Sequence, residues 1–307
     1  MIKLLNPIST YFKELNKFIF IFSCILCSLL IWINYNFNID TIINSKNSVL
    51  TSFLFRYLVF LLAFSLPYFF TSITLHKNYF KSKTFILLLA LAPAIFSLKM
   101  CLDTDIDISK QLHLNEYWNQ VLYWPLRLIL ILAFLFCIQK FVSPQNTFWG
   151  FTLKNFSSKP YLVLITFMVP LIAIASSQQD FLLVYPKVQS IQLSRLSSLQ
   201  PAYNWLYVLL YEASYGSDFI SIELFFRGFL ILAFIKYAGK EAILPMACFY
   251  CTIHFGKPLA ECISSFFGGM ILGIIAFHTR SIIGGLLVHL GIAWLMEIGG
   301  FLGNKFL

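Results

Sequence analysis

Among the polar residues in the apolar last third of this 307-residue chain are Asp218, Glu223, Arg227, Tyr250, His254 and His289. A carboxylate and two histidines in a water-accessible membrane cavity suit hydrolysis. Glu223 would take a proton from water, with His254 orienting or sharing that proton. His289 would donate a hydrogen bond to the oxyanion forming on a peptide carbonyl, and Arg227 would hold the carboxylate ionised. The same three residues could also form a two-histidine, one-carboxylate metal site. In a helix, Glu223 and Arg227 lie one turn apart in the order that favours an ion pair, and Tyr250 and His254 are likewise one turn apart. Asp218 lies one turn before Ile222, on a face next to the Arg227 side. The bland reading is a set of packing residues satisfied across helices. It suits Glu212, at a helix end, better than Glu223 and Arg227, which sit among Phe225, Phe226, Phe229 and Leu230.

The elements that must position these residues are membrane helices. The chain is 59% hydrophobic and 11% charged, whereas a soluble domain needs about a quarter of its residues charged. With 34 Phe and 15 Tyr, solvated disorder is excluded as well. Apolar runs near the spanning length of about 20 residues occur at 18–36, 51–74, 84–101, 121–139, 161–177, 217–235, 243–256, 262–277 and 282–300. The sequence therefore predicts an all-α polytopic bundle of about nine spans, or eight if the short run at 243–256 does not cross. Residues 203–214 read as a half-helix or as the start of the sixth span. The N-terminus reads as an anchor rather than a cleaved signal.

One set of alternate loops carries twelve Lys and Arg and the other seven, Arg195 among the seven, which predicts a cytoplasmic N-terminus. The net charge of +9 is then explained by topology and anionic headgroups, not by nucleic acid. Cys24 with Cys27, and Cys248 with Cys251, fall inside spans and read as small apolar side chains. A zinc site from Cys248, Cys251 and His254 is a poor fit. The acidic loop 103–107 lacks the glycine and distal glutamate of a calcium loop, and no cofactor or resident metal is expected. Residues 1–200 read as five spans with loops, whose intramembrane charges are Arg56 and Arg127. Residues 201–307 hold the chemistry-bearing core.

That core resembles the CPBP family (CAAX protease and bacteriocin-processing, also ABI) of intramembrane proteases. The family carries a Glu-Glu-x-x-x-Arg helix, a Phe-x-x-x-His helix and a His-x-x-x-Asn/Asp helix. Here the three read Ile222-Glu223-Leu224-Phe225-Phe226-Arg227, then Tyr250-Cys251-Thr252-Ile253-His254, then His289-Leu290-Gly291-Ile292-Ala293. The resemblance covers about 211–297. It implies a helical membrane core in which the first glutamate and first histidine activate water and the second histidine and Asn stabilise the oxyanion. It also implies a membrane-associated protein or peptide substrate and a bacterial cytoplasmic membrane.

Two positions depart from the pattern. Ile222 stands where the first glutamate belongs, and Ala293 where the Asn or Asp belongs. Loss of a general base costs about 10²–10⁴ in rate, and loss of an oxyanion donor about 10²–10³. Glu223 or Asp218 could take over as base, and Glu297 could reach the site from the third helix. The expectation is an intramembrane peptidase with Glu223, His254 and His289 as catalytic residues and Arg227, Asp218 and Tyr250 in support. The alternative is an inactive member that binds a peptide or partner protein. A proton or solute transporter is the third reading, weakened by the lack of an internal duplication.

Overall fold

A computed structural model of the chain describes residues 2–46, 48–142, 147–154, 156–191 and 204–306. The architecture is all-helical, with 82% helix and no strand among the described residues. The longer elements are α1 (Ile2–Glu14), α2 (Lys17–Phe37), α3 (Ile39–Asn44), α4 (Val49–Thr74), α5 (Lys83–Cys101) and α6 (Leu112–Val142). They are followed by α7 (Lys159–Ala175), α8 (Asn204–Glu223), α9 (Ile243–Thr252), α10 (Leu259–Thr279) and α11 (Ile283–Phe306).

Six of these, α2, α4, α5, α6, α10 and α11, are long and apolar enough to cross a membrane. The other three apolar runs take shorter or broken forms. Residues 161–177 fall largely in the 17-residue α7. The run at 217–235 is interrupted by a π-helical turn, Leu224–Phe229. The run at 243–256 gives only ten helical residues, about 15 Å of rise, half the hydrocarbon thickness. The boundary between 200 and 201, and Arg195, lie outside the described residues.

The chain forms two compact units. The first comprises residues 1–101, 134–156 and 223–285. Here α9 packs on α10, α4 and α2 around a core of tilted and edge-on rings that includes Phe64, Phe85, Phe96, Phe226 and Phe249. Asn16 caps α2 by accepting the backbone N–H groups of Phe18 and Ile19, and α2 ends at Asn38 in the left-handed region (φ 50°). The second unit comprises residues 102–133, 157–222 and 286–307. One of its clusters joins Tyr117, Val121, Tyr207 and Tyr211; a second joins Tyr215, Phe219 and Ala293. The intramembrane Arg127 is accounted for inside this unit. It donates from Nε and Nη2 to the Leu102 carbonyl at 3.1 and 2.8 Å and stacks on the Tyr123 ring.

Candidate active site

In the first unit, Glu223, Arg227, Tyr250 and His254 form one continuous cluster. Glu223 Oε1 lies 3.1 Å from Arg227 Nη1, and both side chains are 0% exposed. The expected i, i+4 pair forms although the chain between its members belongs to a π-helical turn. Such single-turn bulges recur at functional sites. Gly228 shows what shapes this one. A Cβ on it would lie 2.6 Å from the carbonyl oxygen of Trp149, so only glycine lets the two backbones approach. Trp149 is fully buried, anchored by its Nε1 hydrogen bond to the Leu135 carbonyl at 2.9 Å and by an edge-on contact with Phe229.

The second oxygen of Glu223 packs against the backbone of Gly285, where a Cβ would come within 2.6 Å. The carboxylate is thereby enclosed on both sides. The guanidinium carbon of Arg227 stands 4.2 Å from the Tyr250 ring centroid, a cation–π contact that desolvation strengthens. Tyr250 in turn meets His254, ring centroids 4.7 Å apart at 65°. His254 Nδ1 lies 3.0 Å from the Tyr250 carbonyl oxygen. A carbonyl only accepts, so this hydrogen bond requires the proton on Nδ1. In a neutral ring so bonded, Nε2 is the nitrogen able to accept a proton. His254 follows the end of α9 and is half-buried.

The second unit holds Asp218, Ile222, His289 and Ala293. Asp218 is half-buried, and Ser221 Oγ donates to its Oδ1 at 2.9 Å and to its backbone carbonyl at 2.7 Å. Ile222, four residues on, is also half-buried. The position that carries the first glutamate in the CPBP pattern thus keeps some access, whereas Glu223 beside it has none. His289 packs edge-on against Phe219, centroids 4.8 Å apart. Ala293 is buried with Tyr215 and Phe219, so an apolar cluster occupies the place of the Asn or Asp.

Glu297 has a different task from the one considered above. It accepts the backbone N–H groups of Lys187 (2.8 Å) and Val188 (3.3 Å), and Glu212 is a neighbouring carboxyl, a set of partners that no local sequence spacing announces. Among the cysteines, Cys251 Sγ approaches the Cys262 carbonyl (3.4 Å) and Cys248 Sγ the Ser23 carbonyl (3.9 Å). Among the described residues no three His, Cys, Asp or Glu side chains converge as metal ligands.

No curated protein and no solved structure matches the chain. The model of a family described as type II CAAX prenyl endopeptidase Rce1-like matches residues 202–295. That stretch contains all three motifs and both departures from them. Over that segment the chain is similar to a family of intramembrane CAAX endopeptidases, and six of its helices are long and apolar enough to cross a membrane.

Proposed function

We propose that the protein cleaves a peptide bond of a membrane-associated protein or peptide in a bacterial cytoplasmic membrane, using water activated by a carboxylate and His254. The observation that carries this reading is the preparation of His254. Its Nδ1–H is committed to a carbonyl, and its ring rests on Tyr250, which itself stacks on a buried ion pair. His289 supplies the hydrogen bond to the oxyanion. In this reading Glu223 is a positioning residue. A base must meet water, and Glu223 is wholly enclosed with Arg227 as its counter-ion. The proton acceptor is instead Asp218, which shares the helix face of Ile222 one turn away and remains half-buried.

A second reading is favoured by Ile222 and Ala293. Two apolar side chains where the family pattern has polar ones suit a fold retained for binding a peptide or partner protein without cleaving it. Comparison of membrane-protein termini in cells separates the two. The strains carry the natural protein, a deletion, or His254→Gln at equal membrane abundance. Peptidase function predicts cleaved termini that vanish in both the deletion and the variant. If the variant matches the natural protein while the deletion has another phenotype, the binding reading replaces it.

A further inference from the structure

His254 does not sit in the regular part of α9. The helix ends at Thr252, and the chain continues through tight turns in which the N–H groups of His254, Phe255 and Lys257 donate to the carbonyls of Cys251, Thr252 and His254. Gly256 then takes φ +80°, a conformation L side chains rarely adopt. The direction of the His254 ring therefore depends on whatever fixes this turn, and helix geometry alone does not fix it.

Two residues far earlier in the chain hold the turn, both within the first unit. Tyr35 Oη, near the end of α2, donates to the Lys257 carbonyl at 2.6 Å. The Asp40 carboxylate of α3 packs on Gly256, where a Cβ would come within 2.5 Å of Oδ2. Asp40 is itself fixed on several sides. Its backbone N–H donates to Asn34 Oδ1 (3.0 Å), Asn44 Nδ2 donates to its Oδ2 (2.8 Å), and Arg56 lies 3.7 Å from its Oδ1. Arg56 also donates to Asn44 Oδ1. Asn34 and Arg56 are 4% and 7% exposed. Buried polar groups in an apolar helical setting persist when a network satisfies them, and such networks rigidify what they touch. This one touches the turn that follows His254. It also explains Arg56, a charge that otherwise has no reason to lie within α4.

We propose that Asp40 and Tyr35 are positioning residues for His254: the polar knot of Asn34, Asp40, Asn44 and Arg56, with the Tyr35 hydroxyl, sets the backbone from which the imidazole projects. All five lie outside the 202–295 family segment. The N-terminal helices thus contribute to the site as well as to membrane anchoring. Only the catalytic consequence rests on the peptidase reading; the placement of the ring does not.

The test uses the full-length protein in micelles, labelled with ¹³C at histidine Cε1. The chain has five histidines, and the signals of His254 and His289 are assigned by their loss in His254→Gln and His289→Gln. Tyr35→Phe removes one hydroxyl, and Asp40→Ala removes the carboxylate. Each is expected to shift or broaden the His254 signal while leaving His289 in place, with Asp40→Asn restoring most of the natural signal. Cleaved termini in cells should fall about tenfold or more, since small misplacements of reacting groups carry costs of that order. Should the His254 signal stay unchanged in Tyr35→Phe and in Asp40→Ala, the proposal is overturned, whether or not the thermal midpoint falls. Tyr35→Phe alone decides the matter if Asp40→Ala does not fold. If the signal moves but the natural protein yields no cleaved termini, the positioning stands and the peptidase reading fails.

Discussion

In the first unit the Glu223 carboxylate and the Arg227 guanidinium are wholly enclosed, each the other's counter-ion, whereas in the second the carboxyls of Asp218 and Glu212 remain half-buried. The contrast separates two uses of charge inside an apolar protein. An enclosed pair has no contact with water, and its members cost most when one is removed. A half-buried carboxyl keeps its access to protons and contributes less to holding the helices together. Holding an ion pair and performing acid–base chemistry are different tasks, and the function proposed above gives them to different residues.

The largest predicted effect would break that comparison if it were absent. Glu223→Ala or Arg227→Ala leaves an uncompensated charge in a sealed site, at a cost of about 3–5 kcal/mol. It would be seen as a large drop in thermal midpoint or in folded yield. The double variant Glu223→Leu/Arg227→Met removes both charges together and should recover much of the loss. A single variant costing less than about 1 kcal/mol would mean that Glu223 reaches water after all.

Gly228→Ala comes next. Its methyl group would meet the Trp149 carbonyl at 2.6 Å, a contact that side-chain rotation cannot relieve. Overpacking of this kind costs about 1–3 kcal/mol, measurable by the same melting experiment.

A smaller effect is a pH dependence. Glu212 lies in α8, outside the six spanning helices. Burial, then the neighbouring Glu297 carboxylate, pushes its carboxyl up to about 7, from about 4.3 in an unfolded chain. A carboxyl raised on folding contributes stability below the unfolded value, and that contribution is lost as pH rises through the folded one. The thermal midpoint should be lower at pH 8 than at pH 5.5, and Glu212→Gln should shrink the difference. The smallest effect sharpens the comparison from the other side. Asp218→Asn, half-buried and still able to accept from Ser221, should change stability by no more than about 0.5 kcal/mol.

Much of the local chemistry was legible in the sequence because it is local. The Glu223–Arg227 pair and the Tyr250–His254 contact follow from a spacing of four residues. The spanning character of α2, α4, α5, α6, α10 and α11 follows from length and composition. What escaped depends on partners far away in the chain. The π-helical turn owes its shape in part to Trp149 against Gly228, and neither residue signals this alone. The same is true of Glu297, which meets Lys187, Val188 and Glu212 only in the folded unit. The enclosure of Glu223 was hidden for a related reason. Helical spacing places a residue on a face but does not say that Gly285 closes that face. The knot around Arg56 escaped too, since an isolated arginine in an apolar run does not name its partners.

The most direct test of the division between enclosed and accessible charge is an exchange of carboxylates at the half-buried face. Cleaved membrane-protein termini would be quantified in cells expressing the natural protein, Asp218→Asn, and Asp218→Asn combined with Ile222→Glu, all at equal abundance. With Asp218 as the base, the single variant loses about 10²–10⁴ of the activity. The double variant regains much of it, because a glutamate returns to the accessible position one turn away. Asp218→Asn behaving like the natural protein would contradict the account and return the proton to Glu223 or to another group.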